Sequence, residues 1–434
     1  MHTYPKYYDE RIETMPRGDI EHLQEGLLLQ LLPYAYQRSA LVREVWDAAG
    51  VKPQDIRSLA DFKDKAPFID KDRIRAFRDQ HNDPYGGTRC ADPPHMKGVG
   101  LTSGTTGDPT PIPYSRSMNN EQTKRDFWHI GMRPGDYYTI DLFTFREGHG
   151  GDSHTDVGFR PITFQHSPTE IPRIFEASLK YQPKVIFTVS TPMVIAYEEY
   201  AKKHNIDLRE VFASYQGAIF GGEAVPPRVR RLLKEWGLEM YEITSLGDVT
   251  GAIDCSAHAG FHTWEDQALV ECLDPNGDDP VADGERGELV VTALQDDVAP
   301  LIRYRTDDLV TFTREPCLCG RTHGRIQVLG RKGDEMIIAG RSILPKDIHP
   351  YIEEWVETQA ALYQIIRVSR EMDELRLRIG YNPDALQRSE AELAGALRER
   401  LAAELQVPVT VELTPNAELL KLGPPHKIPR VTKQ

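Results

Sequence analysis

The sequence has 434 residues, 40% of them hydrophobic and 27% charged, and its 52 basic and 66 acidic residues give a formal net charge of −14. These values are typical of a globular protein with a large core. The acidic balance excludes nucleic acid as an expected partner, and no apolar stretch reaches the ~18 residues of a membrane span. Residues 1–11 have no apolar core, so we expect no secretory signal, and five cysteines make no disulfide scaffold; we therefore expect a cytoplasmic enzyme.

The first two thirds of the chain predict a helical start and then an α/β region. Residues 19–49 place Leu23, Leu27 and Leu31 at helical spacing, and Gly50 suits a helix C-cap. Short β-rich runs then alternate with helical stretches at 137–143, 185–189, 218–220 and 240–243. This alternation indicates βαβ units and a largely parallel sheet. Closely spaced strands with turn signals between 267 and 312 indicate hairpins.

After Gly330 the pattern becomes that of a small α+β unit. Pro345 is predicted to open a helix that runs to about residue 357. Two strands follow at 365–369 and 374–379, and a capping box at Ser389 and Glu392 begins a further helix, before a closing strand at 407–413. We therefore predict a large N-terminal domain, residues 1–330, and a small C-terminal domain, residues 331–434, in an α/β protein.

The most informative segment is Thr102-Ser-Gly-Thr-Thr-Gly107, which is rich in glycine and hydroxyl groups. Glycines let the backbone approach a ligand closely, and amides with Ser/Thr hydroxyls can surround phosphate oxygens. It is not a Walker A loop, because no Lys-Ser/Thr follows the second glycine. A polar surface turn is the alternative interpretation.

This segment resembles the phosphate loop of the adenylate-forming superfamily, which includes acyl-CoA synthetases and luciferases. Further motifs follow in that family's order: 221–224 (Gly-Gly-Glu-Ala), 241–244 (Tyr-Glu-Ile-Thr), 287–292, 300–308, 330–334 and 427–431 (Lys-Ile-Pro-Arg-Val). The stretches at 56–62 and 317–322 are most similar to the phenylacetate–CoA ligase branch. The resemblance covers almost the whole chain and implies a large domain with mixed and parallel sheets and a mobile C-terminal α+β domain.

The resemblance also implies residue roles. Lys427 and Thr244 would be catalytic, with Lys427 acting as a mobile cation at the carboxylate–phosphate contact, and Asp334 would be the hinge. ATP would be bound by Thr102, Ser103, Gly104, Thr105, Thr106, Gly107, Gly222, Glu223, Ala224, Tyr241, Asp308 and Arg331. Asp308 would accept hydrogen bonds from two ribose hydroxyls.

Two positions depart from the family pattern. Asp108 replaces a common lysine, and Ser245 replaces the glutamate that helps to hold Mg²⁺, a hard ion that prefers carboxylate oxygen. Three explanations stay open: Asp248 substitutes for the glutamate, phosphates and water hold the metal, or adenylation has been lost.

The cysteines form a second group of candidate functional residues. Cys317 and Cys319 make a tight pair, and Cys255 with His262 completes a Cys₃His set of the kind that holds structural Zn²⁺. His258 and Cys272 are the spare candidates. Buried cysteines that act as small apolar side chains are the alternative.

The acid-binding pocket is predicted in the segment 143–154. Phe143 and Phe145 could stack on an aromatic ring. His149, with Arg146 and His154, could recognise a ring substituent or belong to a solvated loop. A metal site formed by His149, Asp152 and His154 is a further alternative.

These features predict a ligase that activates an aromatic carboxylic acid with ATP and transfers the acyl group to CoA, and the branch suggests a homodimer. Two alternatives are kept. One is an adenylating enzyme whose acceptor is a carrier protein in trans, and the other is a nucleotide-binding protein without turnover. Acid-dependent ATP–pyrophosphate exchange separates the enzymes from the binder, and omission of CoA separates the two enzymes.

Overall fold

The computed structural model describes residues 4–96, 98–101, 110–114, 120–142, 157–247, 249–422 and 428–433. They form two compact units. The first contains the described residues of 4–134, 157–159 and 242–328, and the second contains those of 135–142, 160–241 and 329–433. The chain passes from the first unit to the second between residues 328 and 329, close to the predicted domain boundary. The division into domains 1–330 and 331–434 itself stays a prediction.

Helices of the described chain are α1 Glu10–Glu13, α2 Arg17–Arg38, α3 Ala40–Ala48, α4 Leu59–Lys65, α5 Lys71–His81, α6 Asn120–Ile130, α7 Ile171–Tyr181, α8 Thr191–His204, α9 Leu208–Val211, α10 Pro227–Glu235, α11 His349–Ile352, α12 Glu390–Leu405 and α13 Asn416–Leu419. Strands are β1 Gly98–Leu101, β2 Pro111–Tyr114, β3 Tyr137–Leu142, β4 Arg160–Gln165, β5 Val185–Val189, β6 Gly217–Gly221, β7 Met240–Leu246, β8 Thr250–Ile253, β9 Phe261–Thr263, β10 Ala268–Leu273, β11 Arg286–Ala293, β12 Tyr304–Thr313, β13 Arg325–Arg331, β14 Met336–Ile338, β15 Arg341–Ile343, β16 Tyr363–Arg367, β17 Glu371–Met372, β18 Leu375–Tyr381, β19 Val409–Pro415 and β20 Val431–Lys433.

In the first unit, strands lie in the order β10-β11-β12-β13-β9-β8, followed by the part of β7 from Glu242 onward. The pairs β10–β11 and β11–β12 are antiparallel, which confirms the hairpins predicted between 267 and 312. Helices α2 and α3 pack their buried leucine and valine side chains on the apolar core of this unit, which includes Trp46, Phe62 and Tyr304. A separate antiparallel hairpin, β1–β2, pairs Leu101 with Pro111.

In the second unit, the parallel strands predicted from the alternating pattern are present. β3 pairs in parallel with β4 and β5, and β5 pairs in parallel with β6. Helices α7, α8 and α10 bury apolar side chains in the same cluster as these strands. The carboxyl ends of the parallel strands, where α/β sheets commonly bind ligands, are followed directly by the segments 143–154 and 222–224.

The C-terminal part of the second unit has its own apolar core. Strands β19, β18, β16 and β20 form one sheet in that order, and β15, β14 and β17 form another. Helix α12 begins with the predicted capping box, in which the Ser389 hydroxyl and the Glu392 carboxylate each bind the other residue's amide. Leu393, Leu397 and Leu401 are fully buried along its inner face. Strand β20, which pairs in parallel with β16, was not predicted.

Two helix predictions need correction. The helix expected over 19–49 is two helices, because Ser39 caps α3 by accepting from the Val42 amide and also donates to the Gly87 carbonyl at 2.7 Å. The helix expected from Pro345 to residue 357 is a 3₁₀ turn, Pro345–Asp347, followed by the short helix α11. Pro350 lies inside the predicted span, where its ring and missing N–H oppose a continuous helix. No helix in the described ranges is long and apolar enough to cross a membrane.

Candidate active site and metal cluster

The predicted phosphate loop is the connection of a hairpin. Strand β1 ends at Leu101 and β2 begins at Pro111, so residues 102–110 join two antiparallel neighbours in the first unit. The residues outside the described ranges include those predicted to bind phosphate: Thr102, Ser103, Gly104, Thr105, Thr106 and Gly107. They also include Lys427, Asp248, Phe143, Phe145, Arg146, His149, Asp152 and His154.

Asp308 lies on an irregularity of β12. The register with β11 shifts here, since Glu288 faces Leu309 while Val290 faces Arg305. Asp307 takes a left-handed backbone with φ of 64°, and the Asp308 amide donates to the Thr306 hydroxyl at 3.1 Å. Such bulges redirect side chains and occur often beside active sites. The bulge leaves Asp308 only partly buried, which suits a carboxylate that receives ribose hydroxyls.

The bulge meets the segment that contains Thr244. Thr244 lies on β7 opposite Ala252, and the strand ends just before Gly247, whose φ is 57°. A Cβ atom added to Gly247 would lie 2.2 Å from the Cγ2 of Thr306, so only glycine fits this contact. The structure therefore brings together two motifs that are some sixty positions apart, 241–247 and 304–308. Ser245, the residue at the family's glutamate position, is exposed on the same strand.

Gly221 is the last residue of β6 in the second unit, and residues 222–224 follow it directly. Gly222 has φ of 93°, and the backbone turns there before Pro227 begins α10. Glu223 is held by Arg430, whose Nε and Nη2 donate to its Oε2 at 3.2 and 2.9 Å. Ala224 is exposed, whereas Tyr241, at the start of β7, is buried.

Arg331 and Asp334 flank the turn that links β13 to β14. Arg331 is exposed at the end of β13, and Asp334 closes the 3₁₀ turn Lys332–Asp334. The Arg367 guanidinium donates to the carbonyl of Gly333 in the middle of this turn. The turn begins four residues after the passage of the chain between the two compact units.

The four predicted metal ligands form one cluster in the first unit. Cys255, His262, Cys317 and Cys319 are all buried, and their ligand atoms lie within 4.8 Å of one another. The hairpin β8–β9 places Cys255 and His262, while the loop between β12 and β13 supplies the other two thiols. His258 bonds to Asp254 instead, and Cys272 lies on β10 outside the cluster.

The interatomic distances suit a tetrahedral ion. The Cys255 and Cys317 sulfurs lie 3.6 Å apart, and the Cys319 sulfur lies 3.3 Å from His262 Nε2. Two sulfurs bound tetrahedrally to one Zn²⁺ at 2.3 Å would be about 3.8 Å apart, whereas a disulfide requires about 2.05 Å. The His262 Nδ1 proton goes to the His323 carbonyl at 3.1 Å, which turns Nε2 toward the thiols.

Protonation in the cluster follows the mutual contacts of its members. The hydrogen bond from Cys255, followed by that from His262, lowers the pKa of Cys319 despite burial. Burial opposes a charged imidazole, but the hydrogen bonds to Cys317 and Cys319 outweigh it and raise the pKa of His262. The Arg321 amide also points at the Cys319 sulfur, at 3.4 Å. The contacts therefore favour a thiolate at Cys319, whereas the hydrogen bond to Cys319, together with burial, raises the pKa of Cys255. A bound metal would need the remaining ligands to release their protons.

The N-terminal residues brace this cluster. The Tyr7 hydroxyl donates to the Cys319 carbonyl at 3.1 Å, and a Cβ on Gly320 would lie 2.3 Å from the Tyr7 oxygen. Arg321 pairs with Glu13 of α1 at 2.7 Å, and both side chains are almost completely buried. The sequence pattern did not single out these residues, because nothing local in 4–13 signals a contact with residues 319–321.

The nucleotide motifs, the α/β fold and the C-terminal α+β part together define the class of adenylate-forming ligases. The chain belongs to the phenylacetate–CoA ligase family within that class. It is 30% identical over 450 aligned residues to a phenylacetate–coenzyme A ligase of Thermus thermophilus, with 98% of this chain and 96% of that protein covered. A phenylacetate–coenzyme A ligase of Aromatoleum evansii is 28% identical, with 98% and 94% covered.

Solved structures agree on the fold. A 2-hydroxyisobutyryl-CoA ligase in complex with its acyl-AMP superposes with a TM-score of 0.85 at 24% identity, covering 100% of this chain and 94% of that one. The search with family models found no match. The family and the fold establish the protein as an AMP-forming acid–CoA ligase, as the motifs predicted.

Proposed function

We propose that the protein activates an aromatic carboxylic acid with ATP, forming acyl-AMP and pyrophosphate, and then transfers the acyl group to the thiol of CoA. The observation that carries this proposal is the end-to-end similarity to a phenylacetate–coenzyme A ligase. The meeting of segments 241–247 and 304–308 supports it, because both are nucleotide motifs of the class.

In this proposal the work of the first half-reaction is positioning and charge stabilisation around the α-phosphate. Residues 102–107 hold phosphate oxygens, and Asp308 receives the ribose hydroxyls. Arg331 lies beside the ribose and phosphate, and Lys427 supplies a cation at the reacting carboxylate. Thr244 adds a hydroxyl next to the phosphate, and residues 143–149, including Phe143, Phe145 and His149, line the acid pocket.

Mg²⁺ enters this proposal together with ATP. Ser245 has a hydroxyl where a carboxylate would be expected, so the residue to test is Asp248. If Asp248 holds the ion, Asp248→Asn raises the Mg²⁺ concentration needed for half-maximal ATP–pyrophosphate exchange. An unchanged requirement would leave phosphates and water as the main ligands.

A panel of aryl acids tests the function directly. Pyrophosphate exchange should depend on the acid, and AMP release should become continuous only when CoA is present. Acid-dependent exchange without any stimulation of AMP release by CoA would favour a different acceptor, such as a carrier protein. Nucleotide binding without exchange for any acid would favour a binding protein.

We also propose that the Cys₃His cluster holds one structural Zn²⁺. Its donor set fits: three sulfurs and an imidazole close a tetrahedral shell and leave no position for substrate. Such soft and borderline ligands disfavour Mg²⁺. The expected homodimer and the cytoplasmic location stay predictions, and the molar mass measured by light scattering tests the first.

A further inference from the structure

Arg430 stands three residues after Lys427 and is fixed by the C-terminal sheet. Its carbonyl accepts from the Ile365 amide at 2.7 Å, and Val431 then pairs with Ile365 in β20 and β16. The guanidinium lies 4.7 Å from the centre of the Tyr363 ring, and Nη1 donates to the Ala361 carbonyl at 2.9 Å. The side chain is therefore held by its own sheet on one side.

The remaining donors of Arg430 point to the nucleotide motif. Nε and Nη2 both reach Glu223 Oε2, and the Arg430 and Glu223 side chains are only 11% and 8% exposed. A buried, charge-assisted contact of this kind has a defined geometry that a lysine cannot reproduce. It connects the segment that carries the predicted catalytic lysine to the turn that follows β6.

Other contacts join the same two parts of the second unit without touching the nucleotide motif. Glu353 accepts from the Arg228 amide at 2.8 Å and from Arg231 Nη1 at 3.3 Å. Ile195 packs on an apolar cluster that contains Leu419 and Ile428. Arg430 is therefore one of several contacts that hold the C-terminal part, but it differs in reaching residues 222–224.

We propose that Arg430 is a positioning residue for adenylate formation: through Glu223 it fixes residues 428–430 against the turn 222–224, and the proposed role of Lys427 depends on that placement. This inference rests on the proposed function and on the role of Lys427 in it. The proposal assigns the pair to the first half-reaction alone, so we expect thioester formation from supplied acyl-AMP not to depend on it. The predicted hinge at residues 330–334 would let the two side chains separate between the half-reactions.

The test compares the two half-reactions in Arg430→Gln. Acid-dependent ATP–pyrophosphate exchange should fall on the order of 10²-fold, because a displacement of about 1 Å can cost that much. Thioester formation from supplied acyl-AMP and CoA should stay within about threefold of the wild type. The exchange rate of Arg430→Lys, which keeps the charge but loses the forked geometry, should lie between those of the wild type and Arg430→Gln. This variant provides the test if the glutamine variant is unstable.

Two further variants separate positioning from general docking. Arg231→Gln removes a contact between the same two parts but spares the Glu223 pair, and should leave exchange within about threefold. In a double-mutant cycle, Glu223→Gln combined with Arg430→Gln should lose little more exchange than either alone, because each acts through the other.

Equal losses in both half-reactions, an equal effect of Arg231→Gln, or additive losses in the cycle would overturn the inference while leaving the ligase activity in place. Absence of exchange in the wild-type protein with every acid would instead remove the proposed function, and this inference with it.

Discussion

Two buried polar clusters of this protein differ in the number of groups that contact one another. The Cys₃His cluster of the first unit brings four ligand atoms within 4.8 Å, and Tyr7 and Glu13 hold the ligand loop through the Cys319 carbonyl and the Arg321 side chain. The Glu223–Arg430 pair of the second unit joins a single carboxylate to a single guanidinium, and both side chains are largely buried. A complete set of four ligands suits a structural metal site that stays bound. A single ion pair suits a contact that forms in one step of the catalytic cycle and breaks in the next.

The largest effect is expected at Lys427, the residue that the ion pair is proposed to position. Lys427→Ala should reduce ATP-dependent activation by ~10²–10³-fold, because one charge contact at the transition state is lost. Thioester formation from synthetic acyl-AMP should change far less. The matched control is Lys421→Ala, whose side chain is exposed and pairs with Glu418 at 2.7 Å. If both half-reactions of Lys427→Ala fall together, the assigned role is wrong.

Removal of one thiol should abolish binding of the proposed Zn²⁺ without changing the catalysed reaction. Cys317→Ser is expected to lose the metal and to melt at a lower temperature, since metal bound only to the folded chain adds its binding free energy to folding. Elemental analysis of protein purified without chelator should give about one zinc per wild-type chain.

Cys272→Ser is the control for this experiment, because Cys272 lies outside the cluster. Its zinc content and melting temperature should match the wild type, and neither variant should change the KM for the acid substantially. A wild-type content below about 0.2 zinc per chain would indicate that the cysteines are buried apolar side chains instead of metal ligands.

The smallest effect is expected at the turn that would let the ion pair separate. Asp334→Pro fixes φ in the 3₁₀ turn Lys332–Asp334 and should slow one half-reaction by roughly tenfold, about 1.4 kcal/mol of barrier. Asp334→Ala retains backbone freedom and should slow it much less. Single-turnover measurement of each half-reaction decides the question, and an equal loss in both would count against a hinge.

Local structure was predictable where the signal was local. The strand at 185–189 matches β5, the alternation at 137–245 is a parallel sheet, and the Ser389 capping box begins α12. The two incorrect helix predictions have the same cause: in each, one residue changes the backbone hydrogen bonding within the expected helix. Ser39 ends one helix and caps the next, and Pro350 interrupts the helix expected from Pro345.

The amino-acid sequence by itself determined the chemistry available to this protein: the motif order of an adenylate-forming ligase, the four ligand types and the acidic surface balance. The Cys₃His set was predicted from the sequence, and the structure confirms that its four members meet. Only the tertiary structure decided that Glu223 and Arg430 meet, because these residues are 207 positions apart and no sequence pattern paired them. Their meeting depends on the pairing of β20 with β16 and on the burial of whole elements, which hold distant groups together against the conformational entropy of the chain.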